Sequence, residues 1–354
     1  MRMILTGGGT GGHLYPGLAI LQAIQKQTSV ETLFIGTQRG IESRVVPQLH
    51  IPFKTVWISG LHRGRFISNL LFPLKMVVSL VQALWLISVF CPDLILGTGG
   101  FVSWPVLTAG LLLNKITVLQ EQNQKPGLVT RLLASHVNRV FLSHDSSLQY
   151  FKKSGHCVVC GNPIRGDLQL GSKNEAIQFF NLDAEKKTLF IFGGSQGALG
   201  LNRAVQKTLP LLMEGTSLQI LWASGPRWKD EVIHESESWK DRIIVAPYIE
   251  RMDLAFAVAD LVLCRSGATT IAELTSLGLP ALLIPFPGAA YGHQEDNANA
   301  MVEQGAAEMI LEHEAWPKQL NQKIISILDN PDKKEKMASQ SKKKGKLNAA
   351  QEIA

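Results

Sequence analysis

Two glycine-rich turns, each directly after a short apolar run, constrain this chain more than any other feature. Ile4–His13 reads ILTGGGTGGH and Leu189–Gly197 reads LFIFGGSQG. Glycines between a buried strand and a helix let backbone N–H groups approach a phosphate or sugar with no side chain in the way. Gly7 and Gly193 lie 186 positions apart in a chain of 354 residues. The same device at half-chain spacing predicts two α/β domains facing one cleft, and two domains of about 150–180 residues suit this length better than one oversized core.

The pattern between the turns agrees. Short β-branched or leucine-rich runs read as strands at Ile4–Leu5, Thr32–Ile35, Leu94–Leu96, Ile116–Leu119 and Arg139–Leu142 in the first half. Thr188–Phe192, Leu218–Leu221, Ile243–Val245, Leu261–Leu263 and Ala281–Ile284 do so in the second. Helical periodicity, as in Leu14, Leu18, Leu21 and Ile24, fills the gaps. Near-continuous apolar strands alternating with helices predict parallel sheets covered on both faces, with ligands beyond the carboxyl ends of the strands. Glycine and proline interruptions over Gly161–Ser172 place the boundary there. The expected division is 1–162, 163–335 and a C-terminal helical stretch, 336–354, returning to the first domain.

With 45% hydrophobic and 18% charged residues the chain is globular. Its net charge of +6 is partly local. Lys333, Lys334, Lys336, Lys342, Lys343, Lys344 and Lys346 crowd the C-terminus. Such a tail is a solvated helix face, or else a contact for anionic membrane or nucleic acid, and no aromatic–basic interleaving supports nucleic acid. Cys91, Cys157, Cys160 and Cys264 make no disulfide framework. The Cys157/Cys160 pair encloses two valines in a strand-like run, so it reads as packing rather than as half of a zinc site, which suits a reducing cytoplasm. The chain enters a strand at once, with no secretory signal. Met76–Pro92 carries no charge, but its 17 residues fall just short of the ~20 a crossing helix needs.

Gly7–Gly12 satisfies G-x-G-x-x-G, yet the second strand ends Phe34-Ile35-Gly36-Thr37 with no acidic residue for a dinucleotide ribose. A nicotinamide cofactor is therefore not expected. His13 closes this turn at a helix start, where the dipole favours the neutral, proton-accepting imidazole, the alternative being a structural histidine. Cys264–Glu273 (CRSGATTIAE) follows another strand. Gly267 gives a tight turn, Ala268–Thr270 present N–H groups at a helix start, and Glu273 stands one turn on, able to accept both hydroxyls of a ribose. Glu273 is otherwise a first-turn acid complementing the dipole. Gln120–Asn123 and Pro285–Asn297 are junctions dense in hydrogen-bonding groups, which either hold sugar hydroxyls or merely cap and polarise loops. No D-x-D occurs, so phosphate charge falls to helix N-termini and basic residues such as Arg165, a metal-independent design.

Taken together, GGTGGH (Gly8–His13), EQN (Glu121–Asn123), GNPIR (Gly161–Arg165), GGSQGA (Gly193–Ala198), CRSGATTIAE and HQEDNA (His293–Ala298) closely resemble the MurG family. These are the bacterial N-acetylglucosaminyltransferases of peptidoglycan synthesis that make lipid II from lipid I. The resemblance implies the GT-B fold: two Rossmann-like domains, the first mainly for acceptor and the second mainly for UDP-N-acetylglucosamine. By the same motifs, Thr10, Gly11 and Gly12 would line the donor–acceptor junction and Asn123 would reach the donor sugar. Arg165 and Ser195 would contact the diphosphate region, and Ile249 would flank the uracil. Ala268, Thr269 and Thr270 would hold phosphate, with Ile271 and Ala272 continuing the run to Glu273 at the ribose. Gln294 and Asn297 would bond the N-acetylglucosamine, and His13 would be the general base. The stretch Gly288–Gly292 departs from the acidic or polar residues usual before His293–Gln294.

The implied reaction is inverting transfer of N-acetylglucosamine to the C4 hydroxyl of the N-acetylmuramoyl unit of a polyprenyl-pyrophosphoryl-linked pentapeptide. It uses no cofactor and no metal, and it serves wall growth, cell shape and division. Leu70, Leu71, Phe72, Leu74, Trp85 and Leu86, next to Arg63, Arg65 and Lys75, then either dock on the cytoplasmic face of the cell membrane or belong to a plain core helix. A sugar-nucleotide epimerase and a non-catalytic wall-synthesis scaffold are the rival readings.

Overall fold

A computed structural model describes residues 1–60, 70–151, 155–165, 168, 170–289 and 292–354. Arg63, Arg65, Ala290 and Tyr291 lie outside these. The chain divides into two compact units: Met1–Gly166 with Lys346–Ala354, and Asp167–Gly345.

The first unit is built on seven strands: β1 (Arg2–Thr6), β2 (Glu31–Gly36), β3 (Phe53–Thr55), β4 (Leu94–Gly97), β5 (Ile116–Glu121), β6 (Arg139–Leu142) and β7 (Cys157–Val159). They are ordered β3-β2-β1-β4-β5-β6-β7 and every pairing is parallel. In the second unit β8 (Thr188–Phe192), β9 (Gln219–Ala223), β10 (Ile243–Ala246), β11 (Leu261–Cys264), β12 (Ala281–Leu283) and β13 (Glu308–Met309) are ordered β10-β9-β8-β11-β12-β13, again all parallel. These are two Rossmann-like α/β units of the GT-B type.

In each sheet the strand order reverses once, at β1/β4 and at β8/β11. Loops leaving neighbouring strands at such a point splay to opposite faces and leave a crevice beyond the carboxyl ends. The opening turns of both units follow β1 and β8. Apolar strand faces bury two clusters in unit 1, around Ile4, Ile95, Leu107 and Leu119 and around Leu5, Leu21 and Phe34. Unit 2 buries one large cluster around Ile191, Leu209, Trp222 and Leu263.

Two expectations change here. The helix Pro331–Lys343 packs on Ala268–Leu277, so it stays with unit 2 and only the last nine residues join unit 1. There Ala350 packs against Ala19 and Ala23 of the helix Gly11–Gln27, and Lys346 closes over Gly161. The lysine run is not simply a solvated face either. Lys333 pairs with Glu308, Lys334 with Asp260 at 2.9 Å, and Lys342 Nζ donates to Ser276 O at 2.7 Å.

The helix Phe72–Phe90 is not a plain core helix. Ser79, Ala83, Leu86 and Ile87 are buried, a stripe at helical spacing that packs toward Ser103–Leu112. Leu74, Val77, Val81, Trp85 and Val89 stand on the opposite side, each more than half exposed, with Leu70 and Leu71 just before them. Leu86 therefore belongs to the core, not to the exposed group.

Candidate functional site

The carboxyl end of the first sheet gathers three loops. After β1 the turn Gly7–Thr10 leads into the helix Gly11–Gln27, which places His13 in its first turn. After β4 comes a second glycine turn, Gly97–Gly100, which the sequence reading did not single out. Thr98 Oγ1 donates to His13 O at 2.6 Å. Gly99 (φ +96°) lies against the imidazole: a Cβ there would stand 2.8 Å from His13 Cδ2. Gly100 (φ +78°) packs on the first turn, where a Cβ would meet Gly8 O at 2.5 Å. His13 is thus seated between two glycine turns, and its Nδ1 lies 3.1 Å from Thr10 Oγ1.

Glu121 organises the loop after β5. Its buried carboxylate accepts Asn123 N at 3.0 Å, Asn123 Nδ2 at 3.1 Å and Gly127 N at 3.0 Å, which fixes the Asn123 amide. Gln122 is buried and donates to Thr98 O at 2.7 Å, tying this loop to the Gly97–Gly100 turn. Thr10 and Gly12 are exposed and Gly11 is half-buried. Beside the loop, burial lowers the His144 imidazole pKa against the opposing pull of its Gln122 backbone contact and the Glu121 carboxylate. Arg165 belongs to the first unit, which runs to Gly166, whereas the second domain was expected to begin at 163.

The second sheet repeats the arrangement. Gly193–Gly197 follows β8, with Gly194 and Gly197 at positive φ. Gly197 packs backbone to backbone on Ser224 and Gly225, which leave β9. After β11, Gly267 caps the helix Ala268–Leu277. Ser195, Ala268, Thr269, Thr270, Ile271, Ala272 and Glu273 are all partly accessible. The Thr269 hydroxyl is buried with no hydrogen-bond partner among the described residues. A hydroxyl in that state beside N-terminal N–H groups is fitted to an oxyanion. Glu273 lies beyond the first turn, which holds no acidic residue, so the dipole-complementing role does not account for it. Its carboxylate adds to the burial that pushes the Cys264 thiol up.

A cavity of about 450 Å³ opens between these loops, lined by Gly193, Gln196, Gly197, Arg227, Trp228, Arg265, Phe286 and Gln294 among others. Arg265 is 6% exposed and committed to structure: it donates to Ile284 O and Pro285 O at 3.0 Å each and pairs with Glu312. Arg227 is exposed, its guanidinium 4.9 Å from the Trp228 ring. Gln294 Oε1 accepts Phe286 N at 2.9 Å, so its amide nitrogen is the group that remains for a sugar hydroxyl. Asn297 is buried and donates to Ser266 O at 3.1 Å, which makes it a brace of the Ser266–Thr270 turn rather than an accessible sugar ligand. Ile249 is also buried, between β10 and the helix Met252–Val258. Among the described residues no three His, Cys, Asp or Glu side chains gather as a metal site would require.

Arg227 and the Gly97–Gly100 turn are the features the sequence reading missed. The Gly97–Gly100 turn carried the same signal as the others, glycines directly after an apolar strand.

Known proteins match this arrangement over its whole length. Residues 3–142 match the glycosyltransferase family 28 N-terminal domain, and residues 188–353 the C-terminal domain of that family. A protein of Desulforamulus reducens named UDP-N-acetylglucosamine–N-acetylmuramyl-(pentapeptide) pyrophosphoryl-undecaprenol N-acetylglucosamine transferase is 38% identical over 360 residues, covering 100% of this chain and 97% of that protein. The crystal structure of Acinetobacter baumannii MurG superposes with a TM-score of 0.77 at 25% identity, over 99% of this chain and 97% of that one. The UDP-GlcNAc 2-epimerase of Neisseria meningitidis, bound to UDP-GlcNAc, shares the fold at 15% identity, with a TM-score of 0.68 over 100% of this chain and 98% of that one.

Proposed function

This chain belongs to glycosyltransferase family 28, and from that premise we propose that it moves N-acetylglucosamine from UDP-N-acetylglucosamine to a polyprenyl-pyrophosphoryl-linked N-acetylmuramoyl pentapeptide. The product is the disaccharide lipid used in peptidoglycan synthesis. The observation that carries this reading is the full-length relationship to transferases of that name, joined to one glycine-lined crevice per sheet.

The two crevices take different work. In unit 2 the diphosphate sits on the N–H groups of Ala268–Thr270 and the Thr269 hydroxyl, with Ser195 beside it and Glu273 at the ribose. Ile249 backs the uracil, and Gln294 meets the sugar. The buried brace Asn297 holds the turn in place. In unit 1, Thr10–Gly12 and Asn123 line the reacting end, and His13 takes the proton.

For Nε2 to accept that proton, Nδ1 must carry its own, and Thr10 Oγ1 at 3.1 Å is its acceptor. The acceptor C4 oxygen attacks the anomeric carbon as its proton passes to His13, the bond to the UDP oxygen breaks, and the configuration inverts. Positioned base assistance is worth about 10²–10⁴-fold. The helix-terminus N–H groups meet the charge that develops on the departing UDP.

A lipid-linked acceptor gives the exposed face of Phe72–Phe90 its use. The helix is 19 residues long and apolar enough to cross a membrane by length and composition. Its buried stripe holds it in unit 1 instead, so it lies on the cytoplasmic membrane surface with Leu74, Val77, Val81, Trp85 and Val89 toward the acyl chains. Lys75 stands at the rim, bonded to Ser59 Oγ at 2.9 Å and 5.8 Å from the Trp57 ring.

The test is UDP release from UDP-N-acetylglucosamine with and without the lipid-linked acceptor. Acceptor-dependent release with disaccharide-lipid formation is expected. Epimer formation without acceptor would turn the reading to an epimerase, and no turnover to a scaffold.

A further inference from the structure

Glu42 is fully buried, and its carboxylate reaches out of its own helix, Glu42–Gln48, into the turn that carries His13. Oε2 accepts Gly9 N at 3.0 Å, while Oε1 accepts Thr37 N at 3.0 Å and Thr37 Oγ1 at 2.6 Å. Both oxygens bond to other segments, so this is not an acid placed to complement its own short helix. Three glycines make room for it. A Cβ on Gly8 would lie 2.4 Å from the Glu42 carboxyl carbon, one on Gly40 2.3 Å from it, and one on Gly36 2.6 Å from Cγ. The glycines that read as space for a phosphate are, at Gly8, space for this side chain.

We infer that Glu42 is a positioning residue for the transfer reaction: by tying Gly9 to the end of β2 it fixes the turn from which Thr10 orients His13. The inference rests on the functional reading above only for which step it affects. One carboxylate spans two loops, so its exchange for an amide sets an N–H₂ group against a backbone N–H at one end and releases that loop. The donor site, carried by unit 2, does not depend on it.

The test compares E42Q, H13A and the double variant in the acceptor-dependent assay. Displacing a base by about 1 Å costs up to about 10²-fold, so E42Q should lower kcat about 10- to 100-fold with donor KM unchanged. Because Glu42 acts through His13, E42Q should add little to H13A. A kcat close to wild type, or losses that multiply in the double variant, would overturn the inference. If E42Q does not fold, E42D, which keeps the charge but loses the reach, takes its place in the same comparison. Independently of turnover, hydrogen exchange should show residues 7–13 deprotected in the variant and the rest of unit 1 unchanged; retained protection would also overturn it. Wild-type protein without acceptor-dependent release would contradict the functional reading alone, leaving exchange to decide the role of Glu42.

Discussion

Thr10 and Glu273 show how a residue's neighbours sort function from structure. Thr10 Oγ1 faces His13 Nδ1, so Thr10→Val removes the acceptor that selects the reactive tautomer. Turnover should fall about 10-fold, with Thr10→Ser close to wild type, on the scale of one hydrogen bond of about 1–1.5 kcal/mol. Steady-state kinetics with constant donor KM checks it. Glu273→Ala should weaken donor binding about 10- to 100-fold by calorimetry, the scale of a charged hydrogen bond; unchanged affinity would remove it from the ribose. The cysteines give a pH test. Burial pushes the Cys160 thiol up to about 12, so at pH 8 it holds almost no thiolate, the reactive form. Alkylation of native protein should mark exposed Cys91 first, half-buried Cys157 slowly, and Cys160 and Cys264 only after unfolding. That the Cys157/Cys160 pair frames a strand was legible from the two valines it encloses. The burial of Asn297 was not, because a motif gives residue order but not which amide ends up inside.

Among the elements, the helix Phe72–Phe90 carries the sharpest test. Replacing Val77, Val81 and Trp85, each at least 60% exposed, with serine should abolish co-sedimentation with anionic vesicles. Stability should change by no more than about 0.5 kcal/mol per site, as at other exposed positions. Binding that survives would move the membrane contact elsewhere. Its face was not readable from sequence, since nearly every position is apolar and its two serines divide, Ser79 buried and Ser88 exposed. Ser79 can be buried because its hydroxyl donates to Met76 O at 3.0 Å. The glycine turns were readable as strand-to-helix junctions. Their partnership was not: Gly99 meets His13 because β4 pairs with β1 across more than eighty residues, a fact of sheet order.

At the scale of the molecule, two parallel sheets followed from the alternation of apolar strands and helical periods, and those strands appear within a residue or two of their expected places. Short edge strands escaped. β3 and β13 have three and two residues and too little apolar content to announce themselves. The crossing of the chain end also has a consequence. A chain stopped at Gly345 loses Ala350 from the Ala19–Ala23 contact and Lys346 from Gly161. Unit 1 should lose about 1–3 kcal/mol of stability, seen as an earlier calorimetric transition, while donor affinity in unit 2 is retained. The work divides between the units, with donor binding in unit 2 and acceptor activation in unit 1. His13→Ala tests that division most directly when donor affinity and acceptor-dependent turnover are measured on the same preparation. The expected result is unchanged affinity for UDP-N-acetylglucosamine with turnover lower by about 10²–10⁴-fold. Turnover close to wild type, or a loss explained by weaker donor binding, would contradict it.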